Sequence, residues 1–213
     1  MKKPPRTKLN PKNLSRRGIP RLFFNATIDQ YNIDPEIKNI FSRYLDNLDQ
    51  MYEDNVGLML YGTNGSGKTY LSSLVVKEAY RLRYSSFRVT LQEFINLQFQ
   101  KNDLDAFERL QDLIFADFLV IDEVGKEIAP KSNFNVIVLE ELLRQRETSG
   151  KPTILCTNLP LEGEGGLYQQ YGKSIKSLIE GCFVKIKFTG KDFRYDVVNE
   201  RKAIKILFEG REY

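Results

Sequence analysis

The sequence predicts an α/β fold in which helices flank a five-stranded parallel sheet. Strand and helix patterns alternate along the chain after residue 55, and this alternation is typical of a parallel sheet covered by helices. A glycine-rich motif of the phosphate-binding type lies between the first predicted strand and the helix after it. The length of 213 residues suits one well-buried domain with short attachments.

Short runs of apolar residues predict the strands, and apolar residues at helical spacing predict the helices. The predicted strands are residues 56–61, 87–91, 117–122, 153–157 and 182–188. The predicted helices of the core are residues 70–83, 92–100, 105–115 and 134–147. The last helix ends before Gly150 and Pro152, which together form a clear stop signal. Glycines and polar residues over 161–173 predict a loop.

Residues 22–55 are predicted to form a helical lead-in to the first strand. Asp34 suits the cap of a helix, Pro35 its first position and Glu36 its first turn. Apolar residues then recur at helical spacing up to Leu48. We therefore expect a helix over residues 34–48 that packs on the core.

Residues 1–21 form a basic arm with eight basic residues and no acid. The net charge of the chain is +4, so removing these eight charges leaves −4 for the remainder. The prolines and the charge predict an extended arm. Two interpretations are open: the arm tracks phosphates or docks on an acidic partner, or it is a solvated tail.

The composition excludes several classes of protein and of site. No run of 18 apolar residues is present, so we expect no membrane span, and the basic N-terminus lacks the apolar segment of a secretory signal. We therefore expect a cytoplasmic protein. The absence of histidine removes His-based metal sites and His general bases. Cys156 and Cys182 lie in apolar segments and are expected to be reduced and buried, with a disulfide as the alternative.

Residues 62–69 fill every fixed position of the motif G-x-x-x-x-G-K-[ST]. They are Gly62, Thr63, Asn64, Gly65, Ser66, Gly67, Lys68 and Thr69. The glycines let backbone N–H groups turn toward a polyphosphate, Lys68 reaches the outer phosphates, and the Thr69 hydroxyl coordinates Mg²⁺. The following helix directs its N-terminal dipole at the phosphates. The motif predicts a nucleotide bound with Mg²⁺.

Polar residues at the ends of two other strands complete the predicted site. Asp122 and Glu123 follow a buried strand, where Asp122 suits the magnesium ion and Glu123 suits a water that attacks the terminal phosphate. Asn158 follows the strand 153–157. Its amide can hold the attacking water or contact the terminal phosphate, or it can cap the turn before Leu159. The order of phosphate loop, acidic pair and polar strand end favours the catalytic interpretation, and in this order the chain resembles an AAA+ ATPase.

Four segments between residues 18 and 195 are similar to the DnaC/DnaI helicase loaders and the IstB transposition ATPases. They are Gly18-Ile19-Pro20-Arg21, residues 119–125, residues 146–159, and Phe188-Thr189-Gly190-Lys191-Asp192-Phe193-Arg194. The resemblance implies ATP as the nucleotide and a core over 56–213 with a minimal C-terminal lid. It also implies that Ile19 and Pro20 line the adenine pocket. Arg194 would be the second sensor, whose guanidinium can pair two phosphate oxygens.

The sequence departs from this family at the arginine finger, the residue that reaches the nucleotide of a neighbouring subunit. Ser177 occupies the expected position, with Lys173 and Lys176 as alternative cations. A lysine lacks the planar fork of an arginine, so transition-state stabilisation is expected to be weaker. We expect hydrolysis of ATP to be slow and dependent on a partner. Self-association through AAA+ interfaces is expected from the resemblance.

The predicted function is that of a replicative helicase loader that binds single-stranded DNA and a helicase. Only about fifty residues precede the first strand, so helicase contact is expected from the arm, the 34–48 helix or the core. Phe94, Phe99, Arg109 and the arm are candidates for contact with the single strand, although the core is the better placement for Phe94. The alternatives are an IstB-like regulator of transposition and a nucleotide switch that binds or inhibits a helicase without efficient hydrolysis.

Overall fold

The structure is a computed structural model that describes residues 7–127 and 133–189. Within these residues one sheet contains five strands: β1 (Gly57–Gly62), β2 (Ser86–Thr90), β3 (Phe118–Val124), β4 (Thr153–Thr157) and β5 (Phe183–Phe188). The order across the sheet is β2-β3-β4-β1-β5, and every neighbouring pair is parallel. The predicted five-stranded parallel sheet is confirmed, with strand ends within two residues of those expected.

Helices cover both faces of this sheet. In the described ranges they are α1 (Pro11–Arg16), α2 (Pro35–Asp46), α3 (Leu48–Glu53), α4 (Lys68–Arg81), α5 (Leu91–Phe99), α6 (Leu104–Phe115), α7 (Phe134–Thr148) and α8 (Leu167–Cys182). At the start of α2 the Asp34 carboxylate accepts hydrogen bonds from the backbone N–H groups of Glu36 (2.9 Å) and Ile37 (3.1 Å). The predicted cap of this helix is confirmed.

The core lies in two layers because successive strand residues point to opposite faces of the sheet. Leu58, Leu60 and Val120 point to the layer that contains α4 and residues of the lead-in. Met59 and Ile121 point to the other layer, together with residues of α5 to α8. All five side chains are buried, and strands buried on both faces are typical of a parallel sheet covered by helices.

The basic arm is not extended over its described part, so this prediction was wrong there. The helix α1 begins after Asn10, whose side chain accepts a hydrogen bond from the Asn13 N–H (2.8 Å), and Pro11 occupies its first turn. Leu14 is buried in the core. The Arg17 carbonyl then accepts a hydrogen bond from the Arg88 N–H (2.8 Å) on the outer edge of β2. The cap and the burial of Leu14 stabilise a helix that composition and charge did not predict. Residues 1–6 lie outside the described residues.

The predicted loop over 161–173 is also partly wrong, because α8 already begins at Leu167. Leu167 and Tyr171 are buried and supply the apolar side of its first turns. Gly172 lies within this helix at φ 82° and ψ 179°, where it produces a kink. The glycines that predicted a loop therefore mark the start of a helix and a bend in it.

Both cysteines are free, as expected, but only Cys156 is buried. Cys182 is half-buried, and its Sγ lies 3.0 Å from a carboxylate oxygen of Glu147. Burial raises the pKa of the Cys182 thiol to about 11, and the neighbouring carboxylate acts in the same direction. Among the described helices, none has the length and apolar character needed to cross a membrane.

Candidate nucleotide-binding site

The carboxyl ends of three adjacent strands bring the predicted site residues together. In the sheet, β4 lies between β1 and β3. Thr157 at the end of β4 is in register with Tyr61 of β1 and with Val124 of β3. One end of the sheet, the edge formed by the carboxyl ends of its strands, therefore holds the phosphate loop after β1, the acids at the end of β3 and Asn158 after β4. In open α/β sheets, ligands bind at this edge.

Two glycines of the phosphate loop adopt conformations and close contacts that a side chain would prevent. Gly62 has φ 122°, and an added Cβ would lie 2.1 Å from the Phe188 carbonyl oxygen of β5. Gly67 has φ 96°, and an added Cβ would lie 2.7 Å from Cε2 of Tyr31. The positive φ values turn the loop as the motif requires. The close contacts show that β5 and the lead-in both pack against it.

Lys68 begins α4, and its ammonium group lies within the turn of the phosphate loop. Its Nζ donates hydrogen bonds to the carbonyl oxygens of Gly62 (2.9 Å) and Thr63 (2.6 Å). Lys68 is buried, so its positive charge is held at the N-terminus of α4. Ser66 donates to the same Thr63 carbonyl at 2.7 Å. The loop thus places a positive charge and a helix N-terminus at one point, and both attract phosphate.

Asp122 and Glu123 differ sharply in environment although they are adjacent. The pairing of β3 with β4 shifts register between Ile121 and Val124, and Glu123 has φ 60°. This irregularity buries Asp122 and leaves Glu123 exposed. The Glu123 N–H donates a hydrogen bond to Oδ1 of Asp122 at 2.8 Å, which fixes the two residues relative to each other. Bulges of this kind re-aim side chains next to active sites.

Arg88 of β2 holds the carboxylate of Asp122, and the sequence did not predict this residue. Its Nη2 and Nε donate hydrogen bonds to Oδ2 of Asp122 at 2.7 Å and 3.0 Å, and both side chains are largely buried. Its Nη1 donates to the Gly18 carbonyl at 3.2 Å. Arg88 therefore connects the arm to the acid of the site. The available signal was a single arginine in a strand otherwise rich in apolar and β-branched residues.

Tyr31 of the lead-in is a second residue that the sequence did not predict for the site. Its hydroxyl donates a hydrogen bond to the Ser66 carbonyl at 3.4 Å, and its ring lies against Gly67. Burial raises the pKa of this hydroxyl, and the charge of Asp34 adds to the effect. The contact spans 35 positions of sequence, and no local pattern marks it.

The donor set fits magnesium. Asp122 and the Thr69 hydroxyl offer oxygen atoms, which Mg²⁺ prefers, and Thr69 follows Lys68 in the first turn of α4. Over the ranges that the structure describes, no group of three or more acidic, histidine or cysteine side chains could form a complete cage. Mg²⁺ is usually held by one or two carboxylates together with substrate phosphates and water. The site fits an ion that arrives with a nucleotide.

The turn after β4 is capped by Thr157. Its Oγ1 accepts a hydrogen bond from the Leu159 N–H at 3.1 Å and donates to the Val124 carbonyl at 2.7 Å. This removes the need for Asn158 as the cap of that turn. Asn158 is half-buried directly beyond the strand, and its contact with water or phosphate stays a prediction.

The remaining predicted residues have mixed outcomes. Ile19 is buried in the same core layer as Tyr31, and Pro20 is half-buried beside it; their contact with adenine stays a prediction. Ser177 is exposed on α8.

Among the residues predicted to contact DNA, Phe94 is fully buried, so it is not available to DNA, in agreement with the core placement. Phe99 is exposed and stacks on Phe134 with ring centroids 4.8 Å apart. Arg194 and the expected lid lie outside the described residues.

Comparison with known proteins identifies relatives over most of the chain. Residues 21–172 match the sequence family described as IstB-like ATP binding protein. The chain is 23% identical over 194 residues to the replicative helicase loader DnaC of Escherichia coli (strain K12), across 85% of this chain and 78% of that protein. It is 28% identical over 182 residues to the replicative helicase loader DnaI of Bacillus subtilis (strain 168), across 83% and 58%.

A solved structure of the DnaC helicase loader has the same fold. It superposes with a TM-score of 0.68 at 18% identity, over 80% of this chain and all of that one (100%). At this identity the likeness concerns the fold alone. Together with the sheet order and the phosphate loop, it confirms the predicted AAA+ P-loop architecture.

Proposed function

The chain belongs to the family of IstB-like ATP-binding proteins, and from that premise we propose that it is an ATPase that loads a replicative helicase onto single-stranded DNA. The observation that carries the proposal is the shared edge of β1, β3 and β4, which combines a phosphate loop, an acidic pair and a polar strand end. Relatives named as replicative helicase loaders match most of the chain, and they support helicase loading as the function.

In the proposed reaction the residues of this edge bind ATP and activate water. Lys68 and the N–H groups of the phosphate loop bind the phosphates, and Asp122 and Thr69 would hold Mg²⁺, which would supply neutralisation of the developing charge. Glu123 accepts a proton from the attacking water, which Asn158 orients. Arg194 pairs with the terminal phosphate. Ile19 and Pro20 contact the adenine.

We propose that hydrolysis is slow unless a partner assists it. Ser177 has no cationic group to place beside a neighbour's nucleotide, and it is exposed on α8. Of the two alternative lysines, Lys176 pairs with Glu162 at 3.3 Å on the protein surface. An arginine finger supplied in trans typically raises the rate of phosphoryl transfer by about 10³ to 10⁵. A partner protein that contributes a cationic side chain, such as the helicase, would supply this missing contribution.

The test combines capture of the helicase with DNA binding and ATP turnover. The tagged protein should retain the replicative helicase from a host extract in the presence of ATP, and Lys68→Ala should retain less. It should prefer single-stranded over duplex oligonucleotides of equal length. Hydrolysis should rise when DNA and the captured helicase are both present. Failure to retain the helicase under any nucleotide condition would contradict the loader function.

Two alternatives keep specific support. The family match favours an IstB-like regulator of transposition, which would prefer duplex DNA. Ser177 favours a nucleotide switch that binds or inhibits a helicase. The switch is supported if ATP binds normally while hydrolysis stays at background with DNA and helicase present. The preference between single and double strands separates the loader from the transposition regulator.

A further inference from the structure

An open pocket of about 530 Å³ lies at the outer edge of the sheet, where the arm meets β2 and α6. Its lining residues are Asn13, Arg16, Arg17, Phe87, Arg109 and Asp112. The lining carries three arginines and one aspartate, so its residues have two positive charges in excess. None of these residues belongs to the nucleotide site. The excess charge selects an anionic ligand.

Two of these arginines are held around one aromatic ring. The guanidinium carbons of Arg17 and Arg109 lie 5.0 Å and 4.6 Å from the centre of the Phe87 ring. Arg17 also lies 3.7 Å from the centre of the Tyr80 ring, and its Nη1 donates a hydrogen bond to the Ser86 carbonyl at 2.9 Å. Cation–π contacts fix the position of a guanidinium without neutralising it. The pocket therefore holds two ordered positive charges.

The charges are incompletely compensated within the described residues. Nε of Arg17 is buried there without a hydrogen-bond partner, and the Arg109 guanidinium lies over the Phe87 ring. Burial lowers the pKa of Arg109, the charges of Asp112 and Glu93 oppose this, and the nearby charge of Arg17 lowers the pKa further. Bringing cations together in this way costs free energy that an anion would offset.

The arm continues the positive charge away from the pocket. Lys12 and Arg16 are four positions apart in α1, so they lie on one side of this short helix, and both are exposed. Arg16 also lines the pocket. A row of cations that leads into a pocket suits a linear polyanion better than an isolated ion. The Phe87 ring is occupied by two guanidinium groups, so the pocket offers charge and hydrogen-bond donors rather than a free stacking surface.

We propose that this pocket binds a backbone phosphate of single-stranded DNA, with the row Lys12–Arg16 contacting the next phosphates. The site rests on the proposed function, because it assigns the DNA contact of the loader to the edge of the sheet. Binding is independent of base sequence, since guanidinium groups and phosphates form the contact. The docked arm forms one wall, so the pocket exists only while residues 13–17 remain on β2.

The test measures binding of a fluorescently labelled oligothymidylate by anisotropy over a range of salt concentrations. The variants are Arg16→Ala and Arg109→Ala, and Arg43→Ala on α2 is the matched control, an exposed arginine outside the pocket. Each pocket variant should bind several-fold more weakly, and the slope of log K against log salt should fall by about 0.7 per lost phosphate contact. The control should match the wild type.

Each outcome has a distinct meaning. If wild type binds the oligonucleotide and both pocket variants bind it equally well, the pocket is wrong while the loader function stands. If wild type binds no single-stranded DNA, the DNA-binding part of the proposed function fails, and this site fails with it. Equal losses on a duplex of the same length, or full displacement by millimolar inorganic phosphate, would overturn the assignment to a single strand. Retained binding of an ATP analogue by both variants shows that they are folded.

Discussion

Glu123 adopts a left-handed backbone conformation that is uncommon for a residue with a side chain, at φ 60°. Such a conformation costs about 1 to 2 kcal/mol for a non-glycine residue. It is stabilised by the hydrogen bond from the Glu123 N–H to Asp122, whose carboxylate is held in turn by Arg88. The left-handed conformation of Glu123 places the side chains of Asp122 and Glu123 in different environments. The Asp122 carboxylate is buried and fixed, while the Glu123 carboxylate is exposed and pairs with Lys126 at 3.2 Å.

We predict that Glu123→Gln lowers the rate of ATP hydrolysis by about 10² to 10⁴ and leaves ATP binding intact. The amide keeps the shape of the side chain but cannot accept the proton of the attacking water. Phosphate release and nucleotide binding should be measured on the same preparation. The control is Glu164→Gln at an exposed position outside the site. An unchanged rate in Glu123→Gln would remove Glu123 from the catalytic step.

The individual residues show which parts of the site a sequence can reveal. Lys68, Asp122 and Glu123 belong to local motifs whose spacing follows from one loop or one strand end, so their placement at the carboxyl ends of the strands could be predicted, and their roles stay predictions. Arg88 and Tyr31 could not, because their partners lie on other elements, 34 and 35 positions away. Only the parallel pairing of β2 with β3 brings Arg88 beside Asp122.

At the level of elements, the arm acts as an additional cover for the edge strand β2. Its backbone approaches β2 so closely that a Cβ on Gly18 would lie 1.9 Å from the Arg88 carbonyl oxygen. Gly18 also has φ 75°, which favours glycine. An uncovered edge strand is open to pairing with other chains, so this contact also protects the sheet. The Thr7 N–H donates a hydrogen bond to the Arg81 carbonyl at 2.9 Å, so the arm is part of the folded domain from residue 7 onward.

We predict that Gly18→Ala destabilises the protein by more than Gly150→Ala. Both positions have positive φ, but no atom lies within 4 Å of a Cβ at Gly150. Gly150→Ala should therefore cost only the strain of about 1 to 2 kcal/mol. Gly18→Ala should add the loss of the arm contacts, and proteolysis should cut the arm faster. Denaturant unfolding and limited proteolysis measure both effects. Equal losses of stability would show that the arm contributes nothing at this contact.

The sequence predicted the strands better than the arm and α8 for a physical reason. Strands buried on both faces require continuous apolar runs, and these runs are visible locally. The helix α1 depends on one cap at Asn10 and on the burial of Leu14 against distant residues. In α8, glycines at 166 and 172 carry the signal of a loop, while Leu167 and Tyr171 find their partners only in the folded core. Tertiary packing overrides local preference in both cases.

At the scale of the whole molecule, a polar cluster joins the amino-terminal ends of the strands, which lie at the end of the sheet opposite the nucleotide site. Asp117 accepts hydrogen bonds from the Ser85 N–H and hydroxyl, both at 2.8 Å, and from Lys151 at 3.0 Å. Nearby, the buried Arg146 donates to backbone carbonyls that include those of Ala116 (2.8 Å) and Pro152 (2.7 Å). These contacts join the starts of β2, β3 and β4.

We predict that Asp117→Asn lowers the free energy of unfolding by about 1 to 3 kcal/mol at neutral pH. Burial alone would raise the pKa of Asp117, but hydrogen bonds from Lys151 and Ser85 outweigh it and hold the pKa below the ordinary 3.8. For an acid with a lowered folded pKa, the stabilisation is present above the unfolded pKa and is lost as pH falls through the folded one. The difference between wild type and variant should shrink below about pH 4.

Urea unfolding at several pH values between neutrality and pH 2 tests this prediction. The control is Asp46→Asn, because Asp46 lies at the end of α2 and away from this cluster. A difference between wild type and Asp117→Asn that stays constant with pH would show that ionisation of Asp117 does not contribute to stability.

The central claim for the molecule is that the edge formed by β1, β3 and β4 binds ATP with magnesium. Calorimetric titration of Mg²⁺ and ATP into wild type and into Lys68→Ala, together with turnover assays, tests it most directly. Wild type should bind, and loss of the charged contacts of Lys68 should weaken binding by about 2 to 3 kcal/mol, or about 30- to 150-fold, and abolish hydrolysis. Binding and turnover that survive Lys68→Ala unchanged in a folded protein would contradict the assignment of the site.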